Sequence, residues 1–229
     1  MALKNTSMMG GWAGGVNLKF TQQGDYMAGD FCGGAVEISA VCKLIGGLSK
    51  NQPVEFMVPR CESLSHHTTD KSAEILMMEA YASIANNSCF VIIDAIDPVG
   101  TLNRKIYEKA HEIFREVRRY EAYLSADSSL VADVAIYWSF ESLINPAWNG
   151  KDASEFVYDN LPIDRIKNIV ETFIKYKIPF TLITEKQIDK LSDFQVLVLP
   201  SVAMMSAKEA EAIRKFVKAG GKIYASGET

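Results

Sequence analysis

The chain has 229 residues, room for one large domain or two small ones. Its 48% hydrophobic and 23% charged content is the ordinary balance of a globular fold. A net charge of −4 argues against a chain built to neutralise nucleic-acid phosphates, which needs a basic face, and no run approaches the roughly 20 apolar residues of a membrane span.

At the N-terminus no basic stretch precedes an apolar core, so no secretion signal is read there and the cytoplasm is the expected compartment. Nothing before Gly10–Gly15 (G-G-W-A-G-G) reads as a structural element. Cys32, Cys42, Cys61 and Cys89 form no C-x-x-C pair. Free thiols are expected, without zinc or thioredoxin chemistry.

Asp25–Phe31 carries a first strand, and Val36–Leu48 a helix with an awkward Gly46-Gly47 end. Val54–Pro59 (V-E-F-M-V-P) is a strand, followed by a helix over Lys71–Asn86 with Ile75, Met78, Ala82 and Ala85 on one face. Cys89–Ile96 is a strongly apolar strand and Leu102–Leu124 a long amphipathic helix. The basic run Arg115–Arg119 is interleaved with Glu112, Glu116 and Glu121, which marks a solvated helix face. These segments make about three β/α units, too few to close an eight-stranded barrel.

A small polar link, Ser125–Leu130, separates them from a second series. Val134–Phe140 is a strand, Asn145–Asn160 a loop, and Ile163–Tyr176 a helix with Asp164 as N-cap. Ile178–Thr184 is a strand and Thr184–Leu191 a short helix. Val196–Leu199 is a strand closed by Pro200. Ser206–Ala219 is a helix whose start carries a Ser206/Glu209 capping box and whose end is marked by Gly220-Gly221. Lys222–Ser226 is the last strand, and its closeness to the C-terminus suggests a piece of a longer protein. Continuously apolar strands alternating with helices predict a parallel, doubly wound sheet covered on both faces.

Several stretches carry a family likeness: P-V-E-F-M-V-P-R at Pro53–Arg60, H-H-T-T-D-K at His66–Lys71, I-I-D-A-I-D-P-V-G-T-L at Ile92–Leu102, Y-E-A-Y-L at Tyr120–Leu124 and A-D-V-A-I-Y at Ala132–Tyr137. This run resembles the last barrel strands of bacterial glycoside hydrolases of the α-L-fucosidase-like and family 42-like type, leading into their next domain. The segment from Phe194 to Ala225 resembles the middle domain of family 42 β-galactosidases. The likeness implies two parts. Residues 1–127 would be the C-terminal part of a (β/α)8 barrel, and residues 128–229 a flavodoxin-like, class I amidotransferase-like domain with a trimerising role. It also implies a carbohydrate substrate and a homo-oligomer. An incomplete barrel, with an exposed sheet edge and apolar helix faces, points to self-association as well. The nucleophilic cysteine of true amidotransferases has no counterpart, since no cysteine follows Cys89.

Barrel enzymes act at the C-terminal ends of their strands, and glycosidases need two carboxyl groups flanking the bond. Asp30 and Asp94 are the candidate catalytic carboxylates. Arg60, with Glu62 beside it, and His66 and Asp97 are the candidate sugar contacts. In the resembling hydrolases the carboxylate near Asp30 is usually Glu, which has a longer reach. Asp97-Pro98 equally reads as turn chemistry, and Asp94 as a carboxylate serving neighbouring backbone. Lys71 matches a lysine of the resembling hydrolases and equally a solvated helix start. Trp12 and Trp148 could stack on a sugar or simply pack. His66 and His67 point apart on a strand with no third ligand in view, so no metal is expected. No glycine loop that cradles phosphate follows a strand, so no nucleotide or flavin cofactor is expected. The competing expectation is a non-catalytic self-association module with an inert barrel remnant.

Overall fold

A computed structural model describes residues 4–7, 24–30, 33–62, 66, 68–95, 99–125, 127–144, 161–227 and 229. They build two four-stranded sheets in which every strand pairing is parallel. The first sheet runs in sequential order through β1 (Lys4–Ser7), β2 (Tyr26–Asp30), β3 (Val54–Pro59) and β4 (Ser88–Ile93). Helices α1 (Ala35–Leu48), α2 (Ala73–Ala85) and α3 (Arg104–Val117) follow β2, β3 and β4 in turn. The three expected β/α units are therefore present. β1 precedes them, where the sequence offered no apolar run to signal a strand. The Asn145–Asn160 loop, Trp12 and Trp148 lie outside the described residues.

The second sheet contains β5 (Val134–Tyr137), β6 (Phe180–Ile183), β7 (Val196–Pro200) and β8 (Lys222–Ser226), in the order β6-β5-β7-β8. Counted within that sheet the order is 2-1-3-4, the beginning of the flavodoxin-like arrangement. Helix α4 (Phe140–Ile144) follows β5, α5 (Leu161–Lys175) leads into β6, and α6 (Ala207–Lys218) joins β7 to β8. A 3₁₀ segment, Glu185–Asp193, joins β6 to β7. Thr184 caps it, and Gln187 returns a side-chain oxygen to the Thr184 amide at 2.9 Å. The capping box at Ser206 and Glu209 forms as expected. Asp164 is not a cap, because α5 begins at Leu161 and encloses it.

Strand alternation decides which side chain enters which layer. Ala135, Tyr137, Leu197 and Leu199 pack with Ile188, Leu191, Ile213 and Phe216 under the 3₁₀ segment and α6. Ile136, Trp138 and Val198 turn to the opposite face, against Ile166 and Val170 of α5. Ala40, Leu44 and Leu48 of α1 complete that second layer. A helix from the first series thus helps to cover the second sheet. Its other side, Ile38, Val41, Cys42 and Ile45, packs on Met27, Phe56 and Val58 of the first sheet. A helix with apolar residues on two opposite sides must bury both of them. Its C-terminal end is tied across as well, since the Gln187 amide donates to the Gly47 carbonyl.

Helix α2 turns a different face inward from the one its apolar spacing predicts. Ile75 and Met78 are exposed, and Leu76, Glu79, Ala80 and Ser83 are buried. The helix is apolar almost all round, so spacing left the stripe ambiguous. The buried Lys71–Glu79 ion pair, 2.7 Å long, accompanies the stripe the fold adopts. No described helix is long and apolar enough to cross a membrane.

Candidate functional site

The C-terminal ends of β3 and β4 are adjacent, with Pro59 opposite Ile93. The next residues continue the link, as the Arg60 amide donates to the Ile93 carbonyl at 3.0 Å. From Arg60 the chain loops out and returns antiparallel, with Cys61 bridged to Asp70 and the Lys71 amide bonded to the Arg60 carbonyl at 2.8 Å. Ser72 then caps α2 by accepting from the Ile75 amide.

This local folding brings three charged side chains together. The Arg60 guanidinium donates through Nε to Asp94 and through Nη1 to Asp70. Asp94 also accepts from the Ala95 amide at 2.7 Å. The Arg60 and Asp94 side chains are only 10% and 15% exposed, so their charges are largely withdrawn from water. The Asp94 hydrogen bond is the main influence pushing the guanidinium above its already high range, and burial opposes it. Asp94 Oδ2 is buried and has no hydrogen-bond partner among the described residues. Bonds from one cation to two carboxylates fix the ends of two strands and the returning loop, so the cluster braces the rim.

The structure thus brings Arg60 and Asp94 together. Asp30 ends the neighbouring strand β2, in register with Met57, three residues before Arg60 along β3. Asp94 lies just beyond β4, which ends at Ile93 and is shorter than the sequence suggests. His66 is exposed on the returning loop. His67 and Asp97 lie outside the described residues. Lys71 is neither a solvated helix start nor part of the brace. It is buried against Glu79 of α2, and Lys109 of α3 donates to its carbonyl at 2.9 Å. Sequence reading missed Asp70. The signal available was its place in H-H-T-T-D-K, on a loop that returns to the strand end.

On the side of the first sheet opposite α1–α3, Tyr26 donates to Glu55 at 3.1 Å. The partly exposed Cys89 thiol near Glu55 is pushed up, first by burial and then by that carboxylate. Among the described residues no group of three or more His, Cys, Asp or Glu side chains could hold a metal ion.

In the second sheet the strand order reverses between β5 and β7, the place where open α/β folds take ligands. Here Ser139, Ser142 and Met204 stitch the two loops together. The serine hydroxyls lie 2.8 Å apart, Ser139 donates to the Met204 carbonyl at 3.1 Å, and the Met204 amide donates to Ser142 at 3.0 Å. Tyr137, at the end of β5, donates to Glu209 of α6. Burial is the main cause raising the phenol's pKa, and the Glu209 hydrogen bond adds to it. Hydrogen bonds within the protein therefore knit the strand ends of this sheet.

The region that builds this second sheet has a counterpart among known families. Residues 132–228 match the β-galactosidase trimerisation domain. The trimerisation-type region thus begins two residues before β5 and runs past β8. No curated protein matches the chain. Among solved structures, the chain resembles α-L-fucosidase isoenzyme 2 from Paenibacillus thiaminolyticus at 22% identity and TM-score 0.63, over 84% of this chain and 27% of that one. It resembles the β-galactosidase from Rahnella sp. R3 at 16% identity and TM-score 0.71, over 93% and 34%. It also resembles the β-galactosidase from Halorubrum lacusprofundi at 12% identity and TM-score 0.69, over 99% and 37%. At such identities the likeness is one of fold. The chain spans about a third of the length of these structures.

Proposed function

We propose that this chain is the closing segment of a glycoside hydrolase barrel joined to a self-association domain, divided near residues 127 and 128, and that it acts on O-glycosidic bonds in the cytoplasm as part of a homo-oligomer. The supporting observation is the union in one chain of a sequentially ordered parallel sheet with a trimerisation-type region. The β-galactosidase and fucosidase folds accommodate both together over most of this chain. In this reading the strand ends form the sugar-facing rim. Asp30 and Asp94 are its reactive carboxylates, and Arg60, His66 and Asp97 hold sugar hydroxyls. The Arg60–Asp94–Asp70 brace keeps the rim in shape.

One observation favours the second reading, a self-association module with an inert barrel remnant. Asp94 is tied through Oδ1 to Arg60 and both side chains are largely buried, whereas a general acid or nucleophile must reach the substrate. Two measurements test the proposals. Light scattering coupled to size exclusion should give a mass near three times the 25.4 kDa of one chain; a monodisperse monomer at high concentration would refute the self-association. With aryl β-galactosides and α-L-fucosides, this chain alone should give no turnover. Robust turnover lost in Asp30→Asn would show that the chain is an enzyme by itself and remove the inert-remnant reading.

A further inference from the structure

Helix α1 is held between the two sheets, and one of its charged residues is buried at that junction. Lys43 is 9% exposed. Its ammonium donates to Ser39 at 2.8 Å and to Asn86, the C-cap of α2. It also lies 4.7 Å from the centre of the Phe180 ring, at the start of β6. Three elements therefore meet at one ammonium: α1, the end of α2 beneath the first sheet, and the first residue of β6 in the second.

The compensation is incomplete. Neutral oxygens, the C-terminal end of a helix dipole and an aromatic face each favour a cation. No carboxylate pairs with Lys43 among the described residues. A desolvated ammonium without a counter-ion disfavours the folded state. Its neighbours at the junction are Ser39 and Cys42 on α1, Asn86 from α2 and Phe180 from β6. Of these only Cys42 titrates, and burial pushes its thiol from 9.0 up to about 12. The unfolded thiol therefore ionises first and its contribution to stability falls with pH, an opposing trend that comparison with a Lys43 variant cancels.

We propose that Lys43 makes the seating of α1 between the two sheets sensitive to pH, its charged form loosening the junction of α1, α2 and β6 and its neutral form tightening it. The direction follows from linkage. Burial lowers the Lys43 pKa from 10.5 to about 8. Below pH 8 the folded and unfolded states both carry the proton, and the junction is at its weakest. Between pH 8 and 10.5 Lys43 holds its proton more in the unfolded chain than in the folded one, so its contribution to stability rises with pH. Above 10.5 the gain is complete. Across that window the unfolding constant should fall on the order of a hundredfold through this residue.

Two measurements on the full chain test this. In a ¹³C titration of ε-labelled lysine, a resonance absent in Lys43→Arg should titrate near pH 8; if every lysine instead titrates above pH 10, the proposal is overturned, whether or not any variant folds. In urea unfolding, the wild-type midpoint should rise between pH 8 and 10 relative to Lys43→Met. Parallel pH profiles for the two proteins would also overturn it.

Discussion

Leu44 offers the clearest test of how the two sheets depend on each other. It lies on α1 but is buried in the cluster of the second sheet, with Ile136, Phe180 and Leu182. Leu44→Ala removes three carbons, worth roughly 2.4 kcal/mol at about 0.8 per buried carbon. The residual cavity brings the cost to about 3–4 kcal/mol, within the usual range for a buried leucine. If α1 couples the sheets, that loss must be felt in both. Trp138, buried in the second sheet, reports one side by fluorescence in a Trp12→Phe, Trp148→Phe background. Cys61, buried just beyond β3, reports the other by thiol labelling in a Cys32→Ser, Cys42→Ala, Cys89→Ser background, which leaves it the one thiol in the sequence. In urea both probes should shift to lower denaturant by the same free energy. A shift of the Trp138 signal with Cys61 protection unchanged would refute the coupling and leave two independently stable units.

Arg60→Met should cost about 3 kcal/mol, because it leaves Asp94 buried without its counter-ion. Asp70→Asn should cost no more than about 1 kcal/mol, since that side chain is 34% exposed; urea midpoints at pH 7 compare the two. Tyr137→Phe removes one partner of the buried Glu209 and should cost about 1–2 kcal/mol. In a chain of this size that corresponds to a fall in Tm of roughly 2–4 °C per kcal/mol, read by calorimetry.

Local chemistry made the second region legible. Val196–Pro200 is a pure apolar run closed by proline, and Ser206 with Glu209 announces the start of α6, so propensity and capping gave the right elements. Elements without such signals were harder to read. β1, Lys4–Ser7, is polar, and it is defined by pairing in parallel register with β2. The inward face of α2 was misread because a helix apolar all round has no stripe of its own.

In the candidate site, position along the strands singled out Arg60 and Asp94 but could not join them. That meeting requires β3 and β4 to be neighbours in register and the loop after Arg60 to fold back and deliver Asp70. By itself the sequence determined most of the segments that become strands and helices, β1 excepted, since those preferences act over a few residues. The tertiary structure decided that α1 serves two sheets and that Arg60 is held by two carboxylates. Both depend on surfaces far apart in the chain, and their free energy is gained only when water is excluded from between them.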